Sequence, residues 1–592
     1  MILQALAQYY QRLKDNSQVA LEGFQKQEIP FLIILDRKGN FIGLQDTRQG
    51  EGKRKTGRIC TVPKAVKKTS GIASNLLWEN PAYVLGRPKV DKKKDFPKLL
   101  ERAKEQHACF ISNIHETFPD PAADEGISSV VRFLERGDFA QVFAHPLWPE
   151  IEESGANITF QLEGDMDLIC QRDVVIKAIT SGDANEEREQ QPCLITGELD
   201  QPVRLHTAIK GVWGAQPTGA NIVSFNLPAF NSFSKTQGEN APIGKKAEFA
   251  YTTALNTLLA KGSRQRIQVG DASTVFWTAR ENSIERWFAD LFGEPAKEVS
   301  DQDNAAIRNL YAGPTGGAPP LDEDLTPFFV LGLAPNAARL AIRFWYAGTV
   351  GEVARNIRQH FDDIAILHSP KEPDHLSLFR LLVSTAMQGD SKNIQPNLAG
   401  EVMKSILAGT PYPKTLLNAA IMRIKAEQSR KDKNGNSLPN VSYPRAALIK
   451  AVLVREARFY RKSEKEVGMS LDQNNANPGY RLGRLFAVLE RAQECASPGI
   501  NATIRDRFYA AASSTPVVVF PHLLKLKNHH IAKLDNKGQA VNLEKQISEI
   551  MAGLSDFPSR LDLCDQGRFA IGYYHQRQDT SLSGKRSGNP KE

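Results

Sequence analysis

Residues 29–49 read IPFLIILDRKGNFIGLQDTRQ, two short apolar runs on either side of the turn DRKGN. Gly39 stands where a tight connection needs positive φ, so the stretch predicts two antiparallel strands joined by a hairpin turn. The opening MILQALAQYYQRL has no leading basic region, has Gln and Tyr within its first ten residues, and reads as a helix, not a signal peptide. Downstream, FPKLLERAKEQHACFISNIHETF (96–118) places Leu99, Leu100, Ala103, His107 and Phe110 near one helical face. Further strands are expected in NITFQLEG, ANIVSFN, STVFWTA, PFFVLGLAP and ARLAIRFWYAG, with helices between them.

From about Pro373 the pattern becomes helical, in segments such as PRAALIKAVLVREARFY, PGYRLGRLFAVLERAQECA and VVVFPHLLKLKNHHIAKL separated by Gly, Pro and Asn. The fold class expected is therefore α+β: a mixed N-terminal region of more than one subdomain, then a C-terminal α-helical bundle. The boundaries expected are 1–110 for an N-terminal α+β region with a basic loop, 111–375 for a second mixed region and 376–592 for the bundle. Composition predicts disorder after Asp579.

The 592 residues carry a net charge of +8 and 41% hydrophobic content, enough for several cores. No apolar run reaches the ~20 residues of a membrane helix, and a cytoplasmic location is expected. The six cysteines are far apart with no CxxC, which speaks against a zinc site or a disulfide framework. Charge is concentrated locally. Arg48, Lys53, Arg54, Lys55, Arg58, Lys64, Lys67 and Lys68 face a single acid, Glu51, over the same span, a field that attracts phosphates.

Catalytic patterns are near misses. GENAPIGKK (238–246) has five residues between its glycines where a phosphate loop has four, and Lys246 replaces the magnesium-binding hydroxyl. HFDDIAILH (360–368) carries Asp362 and Asp363, which read as an exposed polar helix face before a metal centre. His529 and His530 in KNHHIAK lack an i, i+4 partner and read as part of a wet basic helix. No cofactor or metal ligand set is expected. AIKGVWGAQPTGANIVSFNLPAFNSF (208–233) gathers small polar residues, with Lys210, Gln216 and Asn226 as candidate nucleic-acid contacts. A strand and turn with a core Trp213 is an equal reading. Lys245, Lys246, Lys261, Arg264 and Arg266 lie at helix ends and loops, as a phosphate-facing groove or a solvated face.

MILQALAQYY, KKTSGIASNLLWENPAYVLG, IKGVWGAQPTGANIVSFNLPAFNSF and AEFAYTTALNTLL resemble the large subunit of the subtype I-C CRISPR surveillance complex, Cascade, over nearly the whole chain. The resemblance implies a non-catalytic antiviral-defence subunit at the 5′-handle end of the guide RNA. It would recognise a protospacer-adjacent motif (PAM) in target double-stranded DNA, promote opening and R-loop formation, and support recruitment of the helicase-nuclease. Its partners would be the guide-RNA-bound backbone and handle-processing subunits, a small helical subunit and the displaced strand; no membrane is implied.

In that setting Lys67 and Lys68 would hold phosphates, Gly71 would permit close approach, and Ser70 or Asn75 would reach base edges. Leu76, Leu77, Trp78 and Tyr83 would anchor the loop in the core, with insertion of one of them into the DNA as a wedge the other reading. The family can also make a small subunit from an internal start. Met469, after Lys465-Glu466-Val467-Gly468, would begin such a product over 469–592, with Arg481, Arg484, Arg505, Arg507, Lys525 and Lys527 suited to the displaced strand. The competing class is a nucleic-acid-processing enzyme, a nuclease with an unrecognised site.

Overall fold

The hairpin at residues 29–49 organises the first sheet. The computed structural model describes residues 2–16, 18–19, 21–50, 55–66, 71–89, 96–182, 190–292, 306, 310–311, 321–462 and 467–586. The chain is α+β and divides into two units. One comprises Leu6–His206 with Phe225–Ala254; the other comprises Met1–Ala5, Thr207–Ser224 and Leu255–Glu592.

In the first unit, helix α1 (Ile2–Asp15) precedes β1 (Phe24–Ile29), β2 (Phe31–Leu35) and β3 (Phe41–Asp46). The β2–β3 turn is set by Asp36, whose Oδ1 accepts from the N–H groups of Lys38 and Asn40, both at 2.8 Å, while Gly39 takes φ +78°. Strand β2 pairs antiparallel with β3 and parallel with β6 (Ile158–Leu162); β5 (Trp78–Glu79) adds to β6, giving the order β3-β2-β6-β5. A strand inside such a sheet is covered on both faces, which is why FLIIL is continuously apolar instead of alternating. Helices α2 (Phe96–Thr117) and α3 (Glu125–Arg136) supply Phe110 and Phe133, whose rings meet Phe160 of β6. Of the expected α2 face, Ala103 and Phe110 are fully buried and Ile114 extends it. A separate two-stranded ladder pairs β1 with β4 (Arg58–Pro63), and β7 (Gln191–Pro192) pairs with β8 (Leu199–Asp200). Helix α4 (Lys245–Leu258) follows.

In the second unit, four antiparallel strands run in the order β12-β11-β10-β9: β9 (Arg266–Val269), β10 (Ala272–Thr278), β11 (Pro327–Asn336) and β12 (Arg339–Thr349). ANIVSFN forms no strand. Its backbone makes isolated bridges, Ala220 to Ile209 and Asn221 to Arg339, because the preceding Pro217 and Gly219 hold it in a loop. Thr349 caps α5 (Val350–Ile364) reciprocally with Glu352. Helices α6 (Tyr443–Phe459), α7 (Pro478–Ala496), α8 (Ile504–Ala512), α9 (Pro516–Ala532), α10 (Lys537–Ala552) and α11 (Leu563–Arg586) form the expected bundle. Its core centres on Phe486, ringed by Tyr509, Phe520, Phe569 and Tyr573. Helix α11 runs past Asp579 to Arg586, where composition alone predicted disorder.

Candidate nucleic-acid interface

Of the basic span, the described residues 48–50 and 55–66 centre on β4. Gln49 and Thr56 exchange backbone hydrogen bonds at 2.9 and 3.0 Å, closing a loop that carries Lys55 at its described end. Gly57 N–H donates to Glu28 Oε1 at 2.6 Å, and β4 then leaves Arg58 and Lys64 exposed beside β1. Lys64 Nζ lies 6.0 Å from the Phe249 ring, a distant cation–π contact. Among the described residues, no ion pair engages Lys55, Arg58 or Lys64. Lys53, Arg54, Lys67, Lys68 and Ser70 lie outside the described residues.

Arg48 departs from the expected pattern. Its guanidinium grips Asp46 through Nε and Nη2 at 2.9 and 2.7 Å, reaches Glu150 and covers the Phe31 ring at 4.5 Å. The hydrogen bond to Arg48 holds the Asp46 carboxyl below the usual carboxylate range. Its charge is neutralised inside the fold, so it offers phosphates little.

Residues 63–66 and 74–80 form two anchored feet. Trp78 Nε1 donates to Pro63 O at 2.9 Å, and Val66 N–H donates to Asn75 Oδ1 at 2.9 Å, so both feet are tied together. Leu77 is fully buried at φ +61°, with its carbonyl accepting from Thr159 Oγ1 at 2.8 Å. Asn113 Nδ2 reaches Ser74 O and Oγ, both at 3.1 Å. Buried Glu79 accepts from Asn80 N, and Asn80 caps the turn Pro81–Val84. Leu77, Trp78 and Tyr83 are core residues and Leu76 packs against that core, so of the two readings the structure has anchoring. Asn75 is 5% exposed and its carbonyl oxygen ties the two feet, so the expected edge-reading amide is instead a bracing group. Gly71 is exposed at φ +92° with nothing within 4 Å of a Cβ built there, an open position in a left-handed conformation.

In the second unit, Ile209 and Ala220 exchange two backbone bonds at 2.9 Å and close a loop on which Lys210 and Gln216 are exposed. Trp213 is 62% exposed, which removes the core-tryptophan reading. In the first unit, Asn226 is exposed in irregular chain, and Lys245 and Lys246 open α4. The phosphate-loop lookalike has its amides occupied: Gly244 N–H points to Cys193 Sγ at 3.4 Å and Lys246 N–H to Asp200 Oδ2 at 3.2 Å. A carboxylate already occupies the helix N-terminus that a phosphate would need.

The remaining chemistry is structural. Asp363 is buried against Arg458 at 2.6 Å and Arg455 at 3.4 Å, not on an exposed face; Asp362 alone is exposed, accepting from Tyr311 Oη at 2.9 Å. Among the described residues no group of three His, Cys, Asp or Glu is placed to hold a metal ion, and no helix is long and apolar enough to cross a membrane. In the C-terminal bundle Arg484 and Arg505 are buried, Arg481 bonds to Asn475 O and Gly553 O, and Lys527 pairs with Glu544 at 3.5 Å. These four serve the bundle; Arg507 and Lys525 stay exposed.

A family model described as CRISPR-associated protein (Cas_Csd1) matches residues 6–581. No curated protein matches the chain.

Proposed function

The chain belongs to the Cas_Csd1 family, the large subunit of the type I-C CRISPR Cascade, and from that membership we propose that it reads the protospacer-adjacent motif of target DNA. The observation that carries the reading is the exposed cation row Lys55, Arg58 and Lys64, engaged by no ion pair among the described residues, leading into the braced feet at 63–66 and 74–80. Lys53, Arg54, Lys67 and Lys68 extend that row in sequence and would add phosphate contacts. Ser70 and Gly71, beyond the bracing Asn75, would meet the base edges. Lys210, Gln216, Asn226, Lys245 and Lys246 are proposed secondary contacts. The subunit contributes binding and duplex opening, cleavage being left to a recruited helicase-nuclease, and the guide RNA reads the remaining sequence.

We also propose that 469–592 can exist as a separate small subunit. The Phe486 cluster, assembled wholly from that segment, supports this reading. A gene lacking a purine-rich AAGGAG-like run just ahead of the Met469 codon would remove it.

The test of the main reading is duplex binding by the assembled complex. Changing Lys55, Arg58 and Lys64 to Ala should lower affinity and reduce the salt slope by about 0.9 per lost phosphate contact. An unchanged affinity and slope would overturn it, as would magnesium- or manganese-dependent cleavage by the purified chain.

A further inference from the structure

A tryptophan held out into solvent is costly unless something covers it, since the indole carries one of the largest apolar surfaces of any side chain. Trp78, Trp148, Trp277 and Trp287 are all buried, whereas Trp213 is 62% exposed. Its exposure is built in. Ile209 and Ala220 close the loop, Lys210 N–H is fixed by Asn256 Oδ1 at 2.8 Å, and Trp213 N–H by Ser273 Oγ at 2.9 Å. Val212 is buried 5% exposed and plugs the loop into the unit beneath it. Gly211 at φ +85° would drive a Cβ to 2.5 Å from Leu259 O, and Gly219 at φ +96° to 2.8 Å from Ile209 O. Neither position accepts a side chain, so the backbone that presents the indole is fixed from both ends.

The surroundings are cationic. Gly211 rests on Leu259, and the turn that follows Leu259 carries exposed Lys261 and Arg264. That turn is itself tied down by Arg266 Nη1 donating to Leu259 O at 3.0 Å. No ion pair engages Lys210, Lys261 or Arg264 among the described residues; Asp290, within electrostatic reach of Arg264, offsets part of the charge. The loop 208–221 contains no acid. An exposed aromatic face on a loop that also carries exposed Lys210 and rests on the turn bearing Lys261 and Arg264 is the combination that binds single-stranded nucleic acid, the ring stacking on a base and the cations holding adjacent phosphates. A protein-binding hot spot would also favour tryptophan, but it gives no reason for the excess of cations on this loop and the turn beneath it.

We propose that Trp213 is a stacking platform for an unpaired base of single-stranded nucleic acid, with Lys210, Lys261 and Arg264 on the flanking phosphates. The site rests on the reading of the chain as a nucleic-acid-binding subunit, and it shares no residue with the segment proposed to face the duplex. The strand it holds is either RNA or DNA, and the experiment distinguishes them.

The full chain is titrated into fluorescein-labelled dT12 and rU12, with anisotropy as the readout. Trp213→Ala should weaken binding roughly 5- to 150-fold, the range measured for loss of one base–aromatic stack, while Trp213→Phe keeps most of it. Tighter wild-type binding of rU12 assigns the guide strand, and tighter binding of dT12 a DNA strand. Oligonucleotide affinities unchanged in Trp213→Ala overturn the proposal, as does equal loss in the Ala and Phe variants, since a stacking ring survives in the second. Target-duplex binding by the assembled complex, measured alongside, should be preserved in Trp213→Phe. Duplex binding without a Trp213 effect on oligonucleotides defeats this site and leaves the motif-reading function standing; the reverse pattern defeats that function and leaves this site.

Discussion

Gly483→Ala sets two opposing effects against each other at one methyl group. In an open helix interior the change is stabilising by about 1 kcal/mol. Gly483 lies instead where α7 crosses α11. A Cβ there would fall well inside the contact distance of Phe569 O, and 2.8 Å from both Phe569 C and Tyr573 N. Gly479 and Gly572 make the same close approach to the opposing backbone, at Asp565 and Tyr480. Backbone atoms cannot rotate aside as a side-chain tip can, so the helices must part by roughly 1 Å. Parting stretches three bonds that cross or flank the seam: Tyr480 Oη with His575 Nδ1 at 3.0 Å, Arg484 Nε to Gln576 Oε1 at 3.1 Å and Tyr573 Oη to Glu490 Oε2 at 2.6 Å. Overpacking at about 1–3 kcal/mol, with weakening of those buried bonds at up to about 1 kcal/mol each, exceeds the propensity gain and leaves a net loss near 3 kcal/mol. Native-state hydrogen exchange on the full chain reads this locally: protection in α7 and α11 should fall about 100-fold. Gly538→Ala is the control, because a Cβ there meets only the Asn536 side-chain tip at 3.3 Å. Unchanged or increased protection in Gly483→Ala would refute the backbone-to-backbone seam.

Other perturbations test the buried charges and the braced feet. Asp363→Ala leaves Arg455, 2% exposed, without its carboxylate and should cost about 3–5 kcal/mol, read as a lower urea midpoint at pH 7. Arg48→Ala should lower the stability of the first unit by about 1 kcal/mol while leaving the salt slope of duplex binding unchanged, opposite to Lys55→Ala. Burial, reinforced by Arg455, pushes the His360 imidazole down to about 3, and burial with Lys450 pushes His575 down to about 4. Because the unfolded chain takes up these protons near pH 6.5 and the folded chain does not, stability present above pH 6.5 should drain as pH falls toward 4, by up to about 1.4 kcal/mol per unit for each histidine. A urea midpoint constant from pH 7 to 5 would exclude that linkage. Asn75→Ala should weaken motif binding across all motif variants alike, since the residue braces the two feet; lost discrimination with retained affinity would make it a direct reader.

The strands were legible where local chemistry decides them. FLIIL is buried on both faces and DRKGN supplies its own turn bonds, so nothing distant is needed to read residues 29–49. ANIVSFN also carries apolar residues, at four of its seven positions, but its backbone partners are Ile209 on one side and the β11–β12 turn on the other, and no spacing within it announces them. The site divides along the same line. A basic or amide side chain suits phosphates and bases, and it suits an internal carboxylate or amide equally well. Arg48 is claimed by Glu150, 102 residues away, Asp363 by Arg455 and Arg458, and Asn75 by Val66, so composition overcounted the contacts available to a ligand. Trp213 erred in the other direction: large aromatics usually enter a core, and only the glycines at 211, 214 and 219 hinted at a loop that holds its backbone still and turns the ring outward. The side chains open to a polyanion are therefore those left after the fold has claimed its own. Among them are Lys55, Arg58 and Lys64 in one unit and, in the other, Lys210 on the Trp213 loop with Lys261 and Arg264 on the turn that follows Leu259, two separately mutable cation sets whose salt slopes should be lost independently.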